Sequence, residues 1–192
     1  MVAGIVLAAG AGTRFGGGKQ LAELDGRPLL EYVLRSAADA RLDRVIVVLG
    51  FGAEEVRTGV NLHGAEPVVC ERWDEGQSAS LACGLALAED ADAVVVLLGD
   101  LPRLPPEAIR RLLDARGGGA SVVRATYGGE PGHPLLLEHD LLGRMRDVTG
   151  DRGARNLLMS AVTREVPCDD LGGGEDADTP AELERLRAEL RS

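Results

Sequence analysis

The sequence contains few aromatic residues: two Phe, two Tyr and one Trp make up 3% of its 192 residues. Without large rings, a core has to be filled mainly by Leu, Val and Ala. Apolar residues total 45% and charged residues 27%, which are ordinary values for a soluble globular protein. A chain of this length can build one domain with a sizeable core. We therefore predict a single domain over residues 1–192.

Basic residues are also scarce relative to acidic ones. The chain has 21 Lys and Arg against 31 Asp and Glu, which gives a formal net charge of −10. This balance argues against a broad surface for nucleic acid or anionic membrane, because such partners favour clustered Lys and Arg. Local cations such as Arg14 and Lys19 therefore stand out as candidates for holding a small anionic ligand.

Cysteines are few and widely spaced, and long apolar runs are absent. Cys70, Cys83 and Cys168 form no C-x-x-C pair and cannot all be paired within one chain. We expect Cys83 to be a small core residue and the protein to occupy a reducing compartment. No apolar run approaches the roughly 18 residues of a membrane span, and no signal-peptide pattern opens the chain. These absences predict a cytoplasmic location and no membrane partner.

Apolar runs of strand length recur along the chain and alternate with helical patterns. The predicted strands are Ala3–Ala8, Arg44–Leu49, Pro67–Cys70, Ala93–Leu98, Ser121–Thr126 and Thr163–Pro167. Near the end, the segment T-P-A-E predicts a helix with Thr179 as N-cap and Glu182 closing a capping box. The alternation predicts an α/β fold, Rossmann-like, with a mostly parallel sheet and helices on both faces.

A glycine-rich loop, LAAGAGTRFGGGKQL, follows the first predicted strand. It holds five glycines, Arg14 and Lys19, a composition that suits a phosphate. The dinucleotide fingerprint G-x-G-x-x-G fails because Phe15 stands at the third glycine position. The Walker A pattern fails because Gln20 follows Lys19 and Thr13 replaces the first glycine. A plain connecting loop is the alternative.

Acidic residues follow two other segments of the chain. Asp100 in L-L-G-D-L-P comes directly after a strongly apolar strand, where ligands of open α/β sheets bind. Asp176 and Asp178 in D-A-D-T-P precede the capped helix and point to the same side if that segment is extended. Such carboxylates can hold Mg²⁺ against a triphosphate. Alternatively, Asp178 only stabilises the positive end of the helix dipole.

The order of motifs along the chain is more specific than any one of them. L-A-A-G-x-G-T-R-x-G-x-x-K is followed by W-x-x-G-x-S-x-S-L, then G-D-L-P, G-H-P, G-D-R-G-A-R and D-A-D-T-P. This order resembles the MobA/MocA-type NTP transferase family, and most closely its molybdenum cofactor cytidylyltransferases. The resemblance covers essentially the whole chain. It implies a fold of the nucleotide-diphospho-sugar transferase type.

The resemblance also implies roles for individual residues. The catalytic residues would be Arg14, Lys19 and Asp100, and Mg²⁺ would bind Asp100 and Asp178, with Asp176 as the other candidate for the second position. The implied nucleotide-binding residues are Leu7, Ala8, Ala9, Gly10, Gly12, Thr13, Arg14, Lys19, Gln77 and Ser78. The implied acceptor-binding residues are Gly132, His133 and Arg155, with Arg152 as a further candidate. The alternatives are a helix N-cap for Ser78, a turn for His133 and solvated helix-end charges for the two arginines.

The activity implied by the resemblance is transfer of CMP from CTP to a phosphorylated acceptor, molybdopterin or Mo-molybdopterin, with release of pyrophosphate. The methyl group of Ala9 would narrow the base pocket and favour a pyrimidine, since the guanylyl-transferring relatives have L-A-G-G there. One alternative is a nucleotidylyltransferase for a sugar-1-phosphate or another phosphorylated metabolite. The other is a non-catalytic nucleotide- or pterin-binding protein that serves a recipient molybdoenzyme.

Overall fold

The structure of the protein, a computed structural model, describes residues 1–148 and 150–190. Its strands are β1 Val2–Ala8, β2 Glu23–Leu24, β3 Arg27–Pro28, β4 Arg44–Leu49, β5 Glu66–Val69, β6 Ala93–Leu98, β7 Val122–Tyr127, β8 Glu130–Glu138 and β9 Thr163–Pro167. Its α-helices are α1 Leu29–Ala38, α2 Ala53–Gly59, α3 Gln77–Leu87, α4 Pro106–Asp114, α5 His139–Arg146, α6 Gly150–Ser160 and α7 Pro180–Leu190. Within these residues no helix combines the length and the apolar character that crossing a bilayer requires.

Seven strands form one mixed sheet in the order β5-β4-β1-β6-β8-β7-β9. β1 runs parallel to β4 and β6, β4 to β5, and β7 to β9, whereas β8 is antiparallel to both of its neighbours. The prediction of a mostly parallel α/β sheet is confirmed. All six predicted strands are present: three have the predicted bounds, two are shifted by one residue, and β1 begins one residue earlier than predicted. The sequence analysis missed β8 because its first residues, E-P-G-H-P, have the composition of a turn.

Helices cover both faces of the sheet, as predicted. On one face α1 packs against β1 and α4 against β7 and β8, in a core cluster that includes even-numbered residues of β1, such as Val6. On the other face α3 packs against β1, α5 against β6 and β8, and α6 against α3, in a cluster that includes odd-numbered residues of β1, such as Ile5. The core contains mainly Leu, Val, Ile and Ala, as the scarcity of aromatic residues requires.

The last helix, α7, is anchored by its own small apolar cluster. Leu183 and Leu186 are buried with Leu24, Leu29 and Ala177. The predicted capping box is confirmed: the Thr179 amide donates to Glu182 Oε2 at 2.8 Å, and the Glu182 amide donates to Thr179 Oγ1 at 3.2 Å. These contacts fix where α7 begins and therefore where Asp178 lies.

The expectation for Cys83 is wrong. Cys70, just beyond β5, and Cys83 in α3 form a disulfide, with their Cα atoms 5.8 Å apart. α3 packs beside β5 and brings together two residues that are 13 positions apart, and no local cysteine pattern signals that approach. Cys168 is buried and free. The reducing compartment was inferred from unpaired cysteines, so that inference loses its support.

We predict that Gly84→Ala lowers the free energy of unfolding by about 1–3 kcal/mol through overpacking. Gly84 lies where α3 crosses the sheet, and a Cβ there would sit 2.6 Å from Ile5 Cγ2 and 3.0 Å from Val48 Cγ2. The matched control is Gly143→Ala in α5, where a Cβ would have no neighbour within 4 Å. The control should be unchanged or stabilised by up to about 1 kcal/mol, because alanine favours a helix. Urea denaturation of both variants measures this, and equal effects would contradict the close packing at Gly84.

Candidate active site

The glycine-rich loop follows the carboxyl end of β1, and close packing and hydrogen bonds fix its conformation. Gly12 has a left-handed φ of 62°, and a Cβ there would lie 2.8 Å from the Cβ of Lys19. Only glycine therefore allows this approach. The Gln20 carboxamide donates hydrogen bonds to the carbonyl oxygens of Ala8 at 2.9 Å and Gly10 at 2.6 Å. These bonds tie the two ends of the loop together, unlike a plain connecting loop.

Lys19 lies between two carboxylates that come from distant parts of the chain. Its ammonium nitrogen is 2.7 Å from Asp100 Oδ2 and 2.7 Å from Asp178 Oδ1, and its side chain is only 10% exposed. The guanidinium of Arg14 contacts the other oxygen of Asp178 at 2.8 Å. The hydrogen bond from Lys19, with help from Arg14, holds the pKa of Asp178 below its usual range. The cations thus offset the repulsion between two adjacent anions.

Backbone contacts bring these side chains together. Asp100 follows β6, the parallel neighbour of β1, so it emerges at the same edge of the sheet as the glycine-rich loop. The amide of Ala177 donates a hydrogen bond of 3.1 Å to the carbonyl oxygen of Asp100. Ala177 is itself fully buried under α7. The packing of α7 is therefore what holds Asp178 beside Asp100.

Asp100 and Asp178 have the chemistry of ligands for a divalent cation. Asp100 Oδ1 is buried and has no hydrogen-bond partner, so an anionic oxygen is available to a cation. Within the described residues no group of three or more His, Cys, Asp and Glu is arranged to hold a metal. The protein would therefore supply two carboxylates, and a bound phosphate would supply further oxygens. Partial burial and the charges of Asp178 and Asp100 raise the pKa of Asp176, so Asp176 lies near this pair.

Three neighbouring cavities open around this centre, and Leu7 lines all of them. The first, about 180 Å³, is lined by Leu7, Ala8, Gly10, Gly12, Lys19, Gln20, Gly99, Asp100 and Asp178. The second, about 410 Å³, is lined by Leu7, Ala9, Gly10, Ala11, Gly12, Thr13, Trp73, Asp74, Gly76, Gln77, Ser80, Leu98 and Asp100. The third, about 380 Å³, includes Ser78, His133 and Arg155 in its lining. Most of the residues implied by the motifs therefore surround one connected region, while Arg14 reaches it through Asp178.

Ser78 is not a helix N-cap, contrary to the alternative considered for it. α3 begins one residue earlier, and its cap position is Gly76. Asp151 of α6 takes over the capping function from outside the helix, since its Oδ1 accepts a 2.7 Å hydrogen bond from the Ser78 amide. Hydrogen bonds from the Ser78 and Gln77 amides lower the pKa of Asp151. The G-D-R-G-A-R motif thus joins α6 to the start of α3, and Arg155, unlike Arg152, lines the third cavity.

His133 lies in β8 and not in a turn. The ladder with β7 is irregular here: Thr126 pairs with Pro131 and Arg124 with Leu135, so three residues of β8 oppose one of β7. Such a bulge redirects a side chain, and His133 lines the third cavity. Burial, together with the charge of Arg124, lowers the pKa of His133 to about 4. Its imidazole is therefore neutral at pH 7.

Gly132 has a packing role in the same bulge. A Cβ at this position would lie 2.8 Å from the ring of Tyr127, so no side chain fits between the two strands. The Tyr127 hydroxyl in turn donates a hydrogen bond of 3.1 Å to the carbonyl oxygen of His133. Gly132 and Tyr127 therefore hold the backbone that carries His133.

Four residues of this region were missed by the sequence analysis: Gln20, Trp73, Asp151 and Arg124. Trp73 and Asp151 stand within motifs that the analysis quoted, but it gave roles only to other residues of those motifs, such as Gln77, Ser78 and Arg155. Arg124 carried a signal, because it is a charged residue inside the apolar strand V-V-R-A-T. Nothing in the sequence distinguishes Gln20 from any other polar residue beside a glycine-rich loop.

We predict that acid destabilises the protein in part through His133. Its folded-state pKa of about 4 lies below the ordinary value of 6.5, so the unfolded state binds the proton first as pH falls. The free energy of unfolding should therefore fall by about 2 kcal/mol between pH 7 and pH 5 from this residue alone. His133→Asn should remove that part of the fall, as measured by urea denaturation at both pH values. An unchanged slope would contradict the burial of a neutral His133.

Comparisons with known proteins agree with this geometry. The sequence profile of the MobA-like NTP transferase domain matches residues 4–166. Nicotine blue oxidoreductase of Paenarthrobacter nicotinovorans is 33% identical over 196 residues, which cover 96% of each chain. The crystal structure of Rv0371c from Mycobacterium tuberculosis H37Rv is similar with a TM-score of 0.85 and 33% identity, over 97% of both chains. A structure of Rv0371c in complex with manganese has a TM-score of 0.80 and 32% identity, over 97% of this chain and 98% of the other.

Proposed function

The chain belongs to the MobA-like NTP transferase domain family, and on that premise we propose that residues 1–192 form one NTP transferase domain that moves CMP from CTP to a phosphorylated acceptor, the phosphate of molybdopterin or Mo-molybdopterin, and releases pyrophosphate. The observation that carries the proposal is the Lys19 ammonium, 2.7 Å from both Asp100 and Asp178 at the end of a glycine-rich loop. Nucleotidyl transfer requires a cationic side chain beside the reacting phosphate and, next to it, carboxylates that can bind a metal ion.

The proposed reaction is an in-line displacement. An oxygen of the acceptor phosphate attacks the α-phosphorus of CTP, and the bond from that phosphorus to the pyrophosphate oxygen breaks. Lys19 and the amides of the loop stabilise the negative charge that develops on the α-phosphate. Arg14, whose side chain is 75% exposed, turns from Asp178 to the leaving pyrophosphate. No general base is needed, because the acceptor phosphate is already ionised at neutral pH, and the neutral His133 positions the acceptor.

Asp100 and Asp178 would hold the divalent cation, for which we propose Mg²⁺. Mn²⁺ is the alternative, because Rv0371c forms a complex with manganese. When bound, the cation neutralises charge on phosphate oxygens and helps to orient them. Lys19 then exchanges its contacts with the acids for contacts with phosphate, which its flexible four-carbon side chain permits.

The preference for CTP rests on the cavity of about 410 Å³ beside the loop. Ala9 forms part of its wall and is held there by a 3.0 Å hydrogen bond from the Phe51 amide to the Ala9 carbonyl. Trp73 lines the same cavity and packs directly against Gly50. With the methyl group of Ala9 on one wall and the indole of Trp73 on another, the cavity is narrower than it would be with glycine at position 9. This supports a pyrimidine base.

A pyrophosphate-release assay with each of the four ribonucleoside triphosphates tests the proposal. With Mg²⁺ and molybdopterin, we expect release from CTP and little from the others. Release with a sugar-1-phosphate and none with molybdopterin would make the protein a sugar-phosphate nucleotidylyltransferase. Nucleotide binding without release from any acceptor would make it a non-catalytic partner of a molybdoenzyme. Oxidation or reduction of nicotine blue is the control reaction, because one relative bears the name nicotine blue oxidoreductase.

We predict that Asp100→Asn lowers kcat of this transfer by at least about 1,000-fold, or about 4 kcal/mol of barrier. The amide removes the anionic oxygens but keeps the shape of the side chain. The free energy of unfolding should change by less than about 1 kcal/mol, because Lys19 keeps its ion pair with Asp178 and the repulsion between the two acids is removed. Asp114→Asn, at the exposed end of α4, is the matched control. Full activity of the Asp100 variant would refute its role.

A further inference from the structure

Arg124 is a charged residue in the interior of an apolar strand. It lies on β7 between Val123 and Ala125, both fully buried, and its side chain lines the cavity of about 380 Å³. Within the described residues its guanidinium forms no hydrogen bond and no ion pair. Burial lowers the pKa of Arg124, and the charge that opposes this shift is that of Glu165, the exposed residue opposite on β9. The Arg124 side chain is half-buried, so its charge is partly removed from water, and an anion that enters the cavity would offset that cost.

The other charged groups of the cavity leave Arg124 uncompensated. Asp151 is engaged by the amides at the start of α3, and it lies close enough to Arg155 for the arginine to lower its pKa further. His133 is neutral and contributes no negative charge. Arg124, Arg155 and Asp151 together give the lining a net positive charge, and within the described residues Arg124 has no ion-pair partner.

The rest of the lining is mostly apolar. On the side of the sheet the cavity is lined by Val96 of β6 and Leu135 of β8. On the side of the helices it is lined by Leu81 of α3 and Leu158 of α6. A planar or apolar molecular body would fit between the sheet and these two helices. The charge of Asp100 opposes the fall in the pKa of His133, so this cavity lies next to the centre formed by Lys19, Asp100 and Asp178.

We propose that Arg124 determines acceptor specificity by binding a second anionic group of the acceptor, separate from the phosphate that reacts. The acceptor class is then a molecule with an apolar or aromatic body that bears an anion, such as a carboxylate, away from its reacting phosphate. This inference rests on the proposed function, which makes the third cavity the acceptor site, and it adds a substrate feature that the reaction itself does not require.

The test uses two matched fluorescent probes, pterin-6-carboxylate and 6-hydroxymethylpterin, which differ in the presence of the anion. Both are titrated into the wild-type protein, Arg124→Gln and Arg144→Gln. Arg144 is exposed on α5 and lines none of the three cavities, so its variant controls for the loss of one positive charge. We expect Arg124→Gln to weaken binding of the carboxylate about 10- to 100-fold. Binding of the neutral pterin should change less than twofold, and the control should match the wild type.

A purely structural Arg124 would behave differently. Its replacement would then lower the free energy of unfolding and weaken both probes equally, whereas we expect stability that is unchanged or higher. Equal weakening of both probes, no weakening, or failure of the wild-type protein to bind pterin-6-carboxylate would overturn the inference. Because this titration needs no turnover, it is independent of the pyrophosphate-release assay. If the pyrophosphate-release assay alone failed, that result would count against the proposed function, and the probe titration could still be interpreted.

Discussion

The contact on which the site depends is the one between Lys19 and the carboxylates of Asp100 and Asp178. Two carboxylates placed this close repel each other unless a cation lies between them. In this protein the cation is an ammonium group delivered by the glycine-rich loop. The same charges allow an exchange: a divalent cation can replace the ammonium at the acids, and a phosphate can replace the acids at the ammonium. Without ligands, the ammonium of Lys19 and the two carboxylates thus neutralise one another, as a metal ion and a nucleoside triphosphate would neutralise them when bound.

Much of the remaining structure serves to hold that contact. Gly12 lets the loop reach Lys19, and Gln20 ties the loop to the end of β1. The hydrogen bond from Ala177 to the Asp100 carbonyl and the packing of α7 bring Asp178 to the sheet. At the cavity of about 380 Å³, the bulge at Gly132–Pro134 places His133 in the lining, and Asp151 joins α6 to α3. These contacts at the ends of strands and helices therefore set where the site residues lie relative to one another.

The repeating features of the fold could be predicted from the sequence, and the irregular ones could not. Strands such as Ala93–Leu98 are continuous apolar runs, and the capping box at Thr179 is a local pattern, so both were predicted correctly. β8 contains Pro and Gly and deviates from regular pairing, which is why it was missed. The disulfide between Cys70 and Cys83, the cap that Asp151 provides and the unpartnered charge of Arg124 depend on contacts between distant segments. A linear pattern does not encode such contacts.

The grouping of Lys19, Asp100 and Asp178 was expected from the motifs, and the geometry supports a single centre. Manganese binding, measured by electron paramagnetic resonance in the presence of a non-reactive CTP analogue, tests this claim most directly. The account predicts one tightly bound Mn²⁺ per chain, lost equally when either Asp100 or Asp178 is changed to Asn. Retention of the tightly bound ion in the Asp178 variant would contradict it, because the two acids would then not share one cation.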